Sequence, residues 1–342
     1  MTEINEFQHP DSIWTWKSNR RGGKATLWLP YVSQVEKLRK NTWRFSYNGG
    51  EVDTDLSKLD CVMFYGASGQ IPVTLIDELA VRRVPLLVHR RNIGRPAIFL
   101  PAPRADSEDI LTKQIITRTN RTKRVYIART LVRERFRAVE HKLPTPSAVY
   151  GRLARARSLG QVRVWEAEQS RRYWRIYFSQ LGHPNVTRRE KGPLAAALDA
   201  GSMFLAGVIL RWLLIHRLSP SHGFLHEGTD YMGLVYDLME PARYMIEEAL
   251  AAACGTQSVD GDSDMLTKAS LSMLKNQLEK VVYVPATRQR VRRKNLLHGN
   301  VLALRAYLTG DMRRLVIPSE GERKGGRPPK VSYRLPGDMP VR

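Results

Sequence analysis

The sequence predicts an α+β chain, with a small N-terminal, mainly β domain followed by a larger all-α domain. Three observations carry this. Across residues 25–100, short apolar runs recur between turns such as Asn48-Gly49-Gly50 and Gly66-Ala67-Ser68-Gly69, the pattern of strands. From Asp106 onward the apolar residues repeat at three- and four-residue spacing instead, the pattern of helices. The break Pro101-Ala102-Pro103 separates the two regimes.

In chain order, residues 1–23 are polar and read as a flexible extension. Residues 24–105 form the β domain, with strands expected at Ala25–Leu29, Trp43–Tyr47, Cys61–Tyr65, Leu86–His89 and Pro96–Leu100. One helix interrupts them, Pro72 to Arg82, with Val73, Ile76, Leu79 and Ala80 on one face. Asp106 or Ser107 is placed to cap the next helix, whose first turn holds Glu108 and Asp109 at the positive end of the dipole. Helices are then expected at 107–139, 146–157, 162–181, 194–217, 240–254, 264–279 and 298–308, completing a helical domain over 106–318. The tail, 319–342, is rich in Gly, Pro, Lys and Arg and reads as disordered.

Composition narrows the function classes. The 342 residues carry 55 Lys+Arg against 33 Asp+Glu, a net charge of +22, which calls for a polyanionic partner and puts nucleic acid first. An anionic membrane surface is the competing reading. The longest apolar stretch, Leu194 to Leu218, is interrupted by Asp199, Arg211, His216 and Arg217, so it reads as a buried core helix rather than a membrane span. Cys61 and Cys254 lie far apart in apolar surroundings and suit neither a disulfide framework nor a zinc site. No signal-peptide pattern opens the sequence, and a reducing, cytoplasmic setting is expected.

The charge peaks between Arg118 and Arg175, where 16 basic residues meet four acids. Arg118, Arg121, Arg124, Arg133 and Arg137 on one long helix, with Arg152 and Arg155 on the next, would neutralise DNA phosphates without reading sequence. Lys123, Arg129, Arg135 and Arg157 belong to the same run. Arg188 and Arg189 precede the apolar helix, and Arg243 follows Glu240 closely enough to meet a phosphate or to pair with that carboxylate.

Two segments carry the chemistry. In Ser221-His222-Gly223-Phe224-Leu225-His226, His226 falls in a loop after the apolar helix. Asp237 and Glu240, spaced i,i+3, share one face of the helix that follows. An imidazole converging with carboxylates suits a hard divalent cation such as Mg²⁺ or Mn²⁺. Read alone, Asp237 as a helix cap and His226 as a hydrogen-bonded core residue fits as well. On the second segment, Val164 to Trp174, Glu166 and Tyr173 share a face, which makes Tyr173 a possible substrate contact; an exposed Glu166 pairing with Arg171 or Arg172 is the plainer alternative. His222 reads as loop packing, and Asp260-Gly-Asp262-Ser-Asp264 as a polar turn, since Met265 and Leu271 stand where a calcium loop needs Gly and Glu.

The runs Glu166-Ala-Glu-Gln-Ser-Arg-Arg-Tyr173, Gly223-Phe-Leu-His226 and Tyr236-Asp237-Leu-Met-Glu240-Pro-Ala-Arg243, in that order, resemble the CRISPR-associated adaptation integrase, the Cas-one family. Val62-Met-Phe-Tyr-Gly66, Leu75 to Val88 and His89-Arg90-Arg91-Asn-Ile-Gly94 are similar to its N-terminal β domain, and Arg288 to Arg293 and Leu304 to Gly310 to its last helical segments. The resemblance implies a β domain used for homodimerisation and a helical catalytic domain. It implies metal ligands at Glu166, His226 and Glu240, with Asp237 beside them as a catalytic residue that holds a ligand in place or serves as an alternate ligand. It also implies double-stranded DNA substrates, prespacer and CRISPR repeat, and a partnership with the small Cas-two protein. The implied reaction is attack of a prespacer 3′-hydroxyl on a repeat phosphodiester. His226 acting as proton carrier fits the residues equally. One departure stands out: Ala195 occupies a position where the family carries Asn. A DNA-binding scaffold without catalysis, and a nuclease on branched DNA or RNA without integration, are the competing functions.

Overall fold

The structure, a computed structural model, describes residues 14–17, 25–47, 50–89, 97–101, 109–140, 150–256, 263–322 and 331–337. It divides into two compact units, Met1–Ser107 and Glu108–Arg342.

The first unit is strand-rich. A five-stranded sheet runs β1 (Trp14–Lys17), β2 (Ala25–Pro30), β6 (Leu59–Tyr65), β7 (Leu86–His89), β8 (Ala97–Phe99), parallel at its centre and antiparallel at both edges. β3 (Gln34–Arg39), β4 (Thr42–Tyr47) and β5 (Gly50–Asp55) form a separate antiparallel sheet. The central parallel strands read as continuous apolar runs because both their faces are covered. Leu27, Leu29 and Phe64 meet Trp43 and Phe45 of the second sheet, together with Leu75 and Leu79 of α1 (Val73–Arg82), in one core.

All five expected strands and the helix form. Residues 14–17 depart from the expected extension: they pair with β2 as an edge strand. β3 and β5 went unread because their exposed faces are charged; Arg44 of β4 spans them, with ion pairs to Glu36 at 3.9 Å and Asp53 at 2.8 Å.

The second unit is helical: α2 (Ile110–Thr119), α3 (Arg121–Ala138), α4 (Tyr150–Ala154), α5 (Leu159–Gln180), α6 (Pro193–Ile215), α7 (Gly233–Met239), α8 (Arg243–Cys254), α9 (Ser263–Glu279) and α10 (Lys294–Thr309). The expected helix over 107–139 is two helices. Asn120 takes an extended conformation, ends α2, and accepts from the Lys123 N–H at 3.0 Å to start α3. Asp109, rather than Asp106 or Ser107, caps α2; those two lie outside the described residues. α6 is long and apolar enough to cross a membrane, but it is apolar all round and packs among α7, α8, α9 and α10 as a core helix. Gly201 makes the α6–α8 approach possible, since a Cβ there would stand 2.6 Å from Ile246 Cγ2.

A hairpin, β9 (Val281–Val284) with β10 (Gln289–Arg292), lies within the helical unit, and it corrects the helical segment expected at Arg288 to Arg293, where alternate residues Gln289 and Val291 are buried as in a strand. It anchors part of the tail that was expected to be disordered. Gln289 exchanges two hydrogen bonds with the Leu335 backbone, at 2.9 and 2.8 Å, and the buried Tyr333 donates to the Val316 carbonyl. Residues 323–330 and the polar turn at 260–262 lie outside the described residues.

At the end of α6, Arg305 donates to His216 Nδ1 at 3.4 Å, and His216 Nε2 stands 2.7 Å from His298 Nε2, whose ring stacks on Trp212. The arrangement has room for two neutral rings only. Burial, with Arg305 nearby, lowers His216 to about 4, and burial beside His216 and Arg211 lowers His298 well below 6.5. In the unfolded chain both protonate near pH 6.5, so this contribution to stability is complete above that pH and is lost as pH falls from 6.5 toward 4. Thermal unfolding between pH 7 and 5 is expected to show a falling Tm, with a shallower slope in His298→Leu; equal slopes would contradict the account.

Candidate functional site

The loop between α6 and α7 is built around one carboxylate. Asp237 lies fully buried in α7, well past that helix's start at Gly233, so it does not cap it. It accepts three successive backbone N–H groups, from Phe224 and, both at 3.0 Å, from Leu225 and His226, and it stands 2.6 Å from His226 Nδ1. Carbonyls of the same turn point to arginines from three helices. Arg118 of α2 donates to Gly223 and Glu227, Arg124 of α3 to Phe224, and Arg163 of α5 to Leu225. Gly223 has no room for a side chain: a Cβ would lie 2.8 Å from both the Gly233 carbonyl carbon and the His226 carbonyl oxygen.

This suspension fixes the imidazole. With Asp237 accepting at Nδ1, the proton sits there and Nε2 is the nitrogen left for ligation or proton transfer. Burial opposes a charged ring, but Asp237, by hydrogen bond and by charge, and then Glu240 outweigh it and raise His226 above its ordinary value.

The two glutamates meet on a buried arginine. Arg135 Nη1 lies 2.7 Å from Glu166 Oε1 of α5 and 3.0 Å from Glu240 Oε2, in the 3-10 turn Glu240–Ala242 after α7. Ser170 also donates to Glu166 at 3.2 Å, and Arg243 donates to Glu240 Oε1 at 2.8 Å. Burial would raise the Glu240 carboxyl, but Arg135, Arg243 and His226 together hold it below the usual range. Arg135 itself stays charged: burial acts against it, and Glu240, Glu166 and Glu247 more than compensate.

By donor type, two carboxylates and an imidazole suit a divalent cation. Two carboxylates already converge on one positive nitrogen, and Glu240 Oε2 is buried with no hydrogen bond although Arg135 stands at ion-pair distance. His226 adds a nitrogen whose tautomer is set by a carboxylate, the arrangement common to metal-ligating histidines. Among the described residues no three His, Cys, Asp or Glu side chains stand together at ligating spacing; the Arg135 guanidinium lies between the two glutamates.

Other expected site residues are distributed differently. Tyr173 is 2% exposed and donates to Glu247, so it belongs to the core and the expected substrate contact is corrected. Glu166 pairs with Arg135, not with Arg171 or Arg172. Arg118 and Arg124 hold the His226 turn, Arg133 and Arg137 pair with Glu134, Arg152 with Glu168, and Arg188 with Asp199. Arg121, Arg155 and Arg189 are exposed. His222 packs in the loop, its Nδ1 2.6 Å from Ser219 Oγ. Ala195, half-buried in the first turn of α6, has no polar side chain to offer. Arg135 and Arg163 were missed as site residues. For Arg135 a signal existed: it lies on the buried stripe Ala128, Leu131, Val132 and Phe136 of α3, where a charge needs a partner.

A family model described as CRISPR associated protein Cas1 matches residues 31–284. A relative from Pyrobaculum aerophilum, CRISPR-associated endonuclease Cas1 2, is 28% identical over 119 residues, which is 34% of this chain and 40% of that protein. Among solved structures, a casposase bound to integration product aligns with TM-score 0.70 at 18% identity, over 85% of this chain and 92% of that one. TM1797, a CAS1 protein from Thermotoga maritima, gives 0.70 and 18%, over 86% and 100%.

Removing Arg135 leaves two carboxylates facing each other, one of them buried. Arg135→Ala is expected to destabilise the protein by about 3–5 kcal/mol, read from urea unfolding; an unchanged midpoint would show that the buried pair is not what holds these elements.

Proposed function

The chain belongs to the CRISPR-associated protein Cas1 family, and on that premise we propose that it is a DNA endonuclease and integrase of CRISPR adaptation that joins prespacer 3′-OH ends to repeat DNA. The observation that carries the reading is the meeting of Glu166 and Glu240 on one buried cation, beside an imidazole oriented by Asp237. Sequence separation makes the convergence informative: α5 and the 240–242 turn are brought together only by the fold.

Glu166, Glu240 and His226 Nε2 would hold Mg²⁺ or Mn²⁺. When bound, such an ion supplies Lewis-acid stabilisation of the charge that develops at phosphorus and on the leaving oxygen. The protein's own groups supply the rest. The two carboxylates give the site its negative charge. Asp237 keeps the imidazole oriented with its proton on Nδ1, so that Nε2 can ligate or carry a proton. Arg243, part-exposed beside Glu240, can exchange its carboxylate partner for a substrate phosphate. Exposed at the surface, Arg121, Arg155 and Arg189 are the phosphate-facing set of a DNA path, while Arg118, Arg124, Arg133, Arg137, Arg152 and Arg188 contribute positive potential from within their hydrogen bonds and ion pairs, those of Arg137 and Arg152 lying at the surface.

We assign dimerisation to the β domain (24–105) and catalysis to the helical domain (106–318), with a second copy of the chain and the small Cas2 protein as partners on DNA. This rests on the family and on the fold shared with a casposase whose structure holds an integration product.

The test is strand joining of a prespacer to repeat DNA with Mn²⁺ present. Glu166→Gln, His226→Asn and Glu240→Gln are each expected to lower it by more than about 100-fold with secondary structure retained. Wild-type joining in Glu166→Gln would refute its role. Joining that persists with a blocked 3′ end would point to hydrolysis without integration. DNA binding by a wild-type protein that never cleaves or joins would identify a scaffold.

A further inference from the structure

Beside the His226 turn lies a cavity of about 330 Å³ lined by Arg118, Thr119, Arg121, Arg124, Leu159 and Glu227. Its lining holds three guanidinium groups and one carboxylate. A fourth arginine, Arg163, reaches that carboxylate from α5, Nη1 to Glu227 Oε2 at 2.5 Å, and Arg124 Nη2 stands 3.3 Å from Glu227 Oε1. Arg124 Nη2 is buried yet makes no hydrogen bond. α3 begins at Arg121 and α5 at Leu159, so the positive ends of two long helices open on the same space.

We infer that this cavity is a subsite for a DNA backbone phosphate, and that the Glu227 carboxylate is its internal competitor, lying where the phosphate charge would go. The inference rests on the DNA reading above and adds a place and a regulating residue to it. Burial and the neighbouring Arg118 and Arg163 push Arg124 below its ordinary value, against Glu227, as expected for a cluster short of negative charge. The placement suits a strand that also enters the active site. Glu227 directly follows His226, and Leu159 precedes Glu166 by seven residues on α5, about 10 Å along the helix. That is roughly three base steps of duplex rise. Arg121 is exposed and has no part in the loop contacts, so it answers to the ligand alone.

The sign of the Glu227→Gln effect separates this role from a structural one. The full-length protein is titrated with a fluorescent duplex bearing a 3′ overhang, in EDTA so that cleavage plays no part. Glu227→Gln is expected to tighten binding about 3- to 10-fold, because the competing charge is gone while the amide keeps its shape. Arg121→Gln is expected to weaken it by a similar factor and to reduce the salt slope by about one. Glu227→Gln binding equal to or weaker than wild type would overturn the inference, as would an unchanged affinity and slope in Arg121→Gln. Inorganic phosphate that raises Tm through this cavity, with DNA affinity flat in both variants, would make it a small-anion site and also overturn it. Wild-type protein that binds no duplex would sink the DNA reading itself, a result distinct from normal binding with flat variants.

Discussion

A guanidinium buried between two carboxylates is the constraint on which the helical unit depends. Arg135 cannot sit among Leu131, Val132 and Phe136 of α3 without compensation, because an isolated charge in such surroundings costs several kcal/mol. Glu166 and Glu240 supply that compensation from two other elements, so α3, α5 and the 240–242 turn are held in one relation. The same geometry concentrates negative charge at a single point, which is also what binding a divalent cation at that point requires. On the proposed function, stability and chemistry would use the same atoms.

The turn that carries His226 is organised in the complementary way. The turn from Gly223 to Glu227 has its N–H groups on a buried carboxylate and its carbonyls on arginines from α2, α3 and α5. Loops usually sit at the low-stability end of a fold. This one is tied at both polar edges of its backbone, which leaves the His226 ring little freedom. The positive charge that composition assigns to nucleic acid is therefore partly structural. Several arginines position the histidine, and the exposed remainder keep their charge for a polyanion.

Much of this was legible in the residues. The change from strand to helix chemistry near residue 105, the five apolar strands and the core character of α6 follow from periodicity alone. Glu166, His226, Asp237 and Glu240 were singled out by the resemblance of their motifs to the family, since taken alone Glu166 reads as an exposed ion-pair partner and Asp237 as a helix cap. Less was legible where the deciding contact is distant in sequence. Arg135 carried one signal, its place on the apolar stripe of α3, but its partners were legible only once the fold placed two glutamates on it, and Arg163 carried none until the loop carbonyls reached it. Tyr173 shares a face with Glu166, but helical spacing does not say which part of that face is interior. β3 and β5 carry charges because only one of their faces meets the core. The tail reads as disordered by composition, yet Tyr333 and Leu335 find places beside β10.

On the proposed function, Glu166 and Glu240 would form one cation-binding point on which the fold and the chemistry both rely. Thermal unfolding of the full-length protein at increasing Mn²⁺ reads this most directly. The account predicts a Tm that climbs with Mn²⁺ in the wild type, as any ligand of the folded state requires, and that stays level in Glu166→Gln. An equal climb in the two proteins would place the ion elsewhere and contradict it.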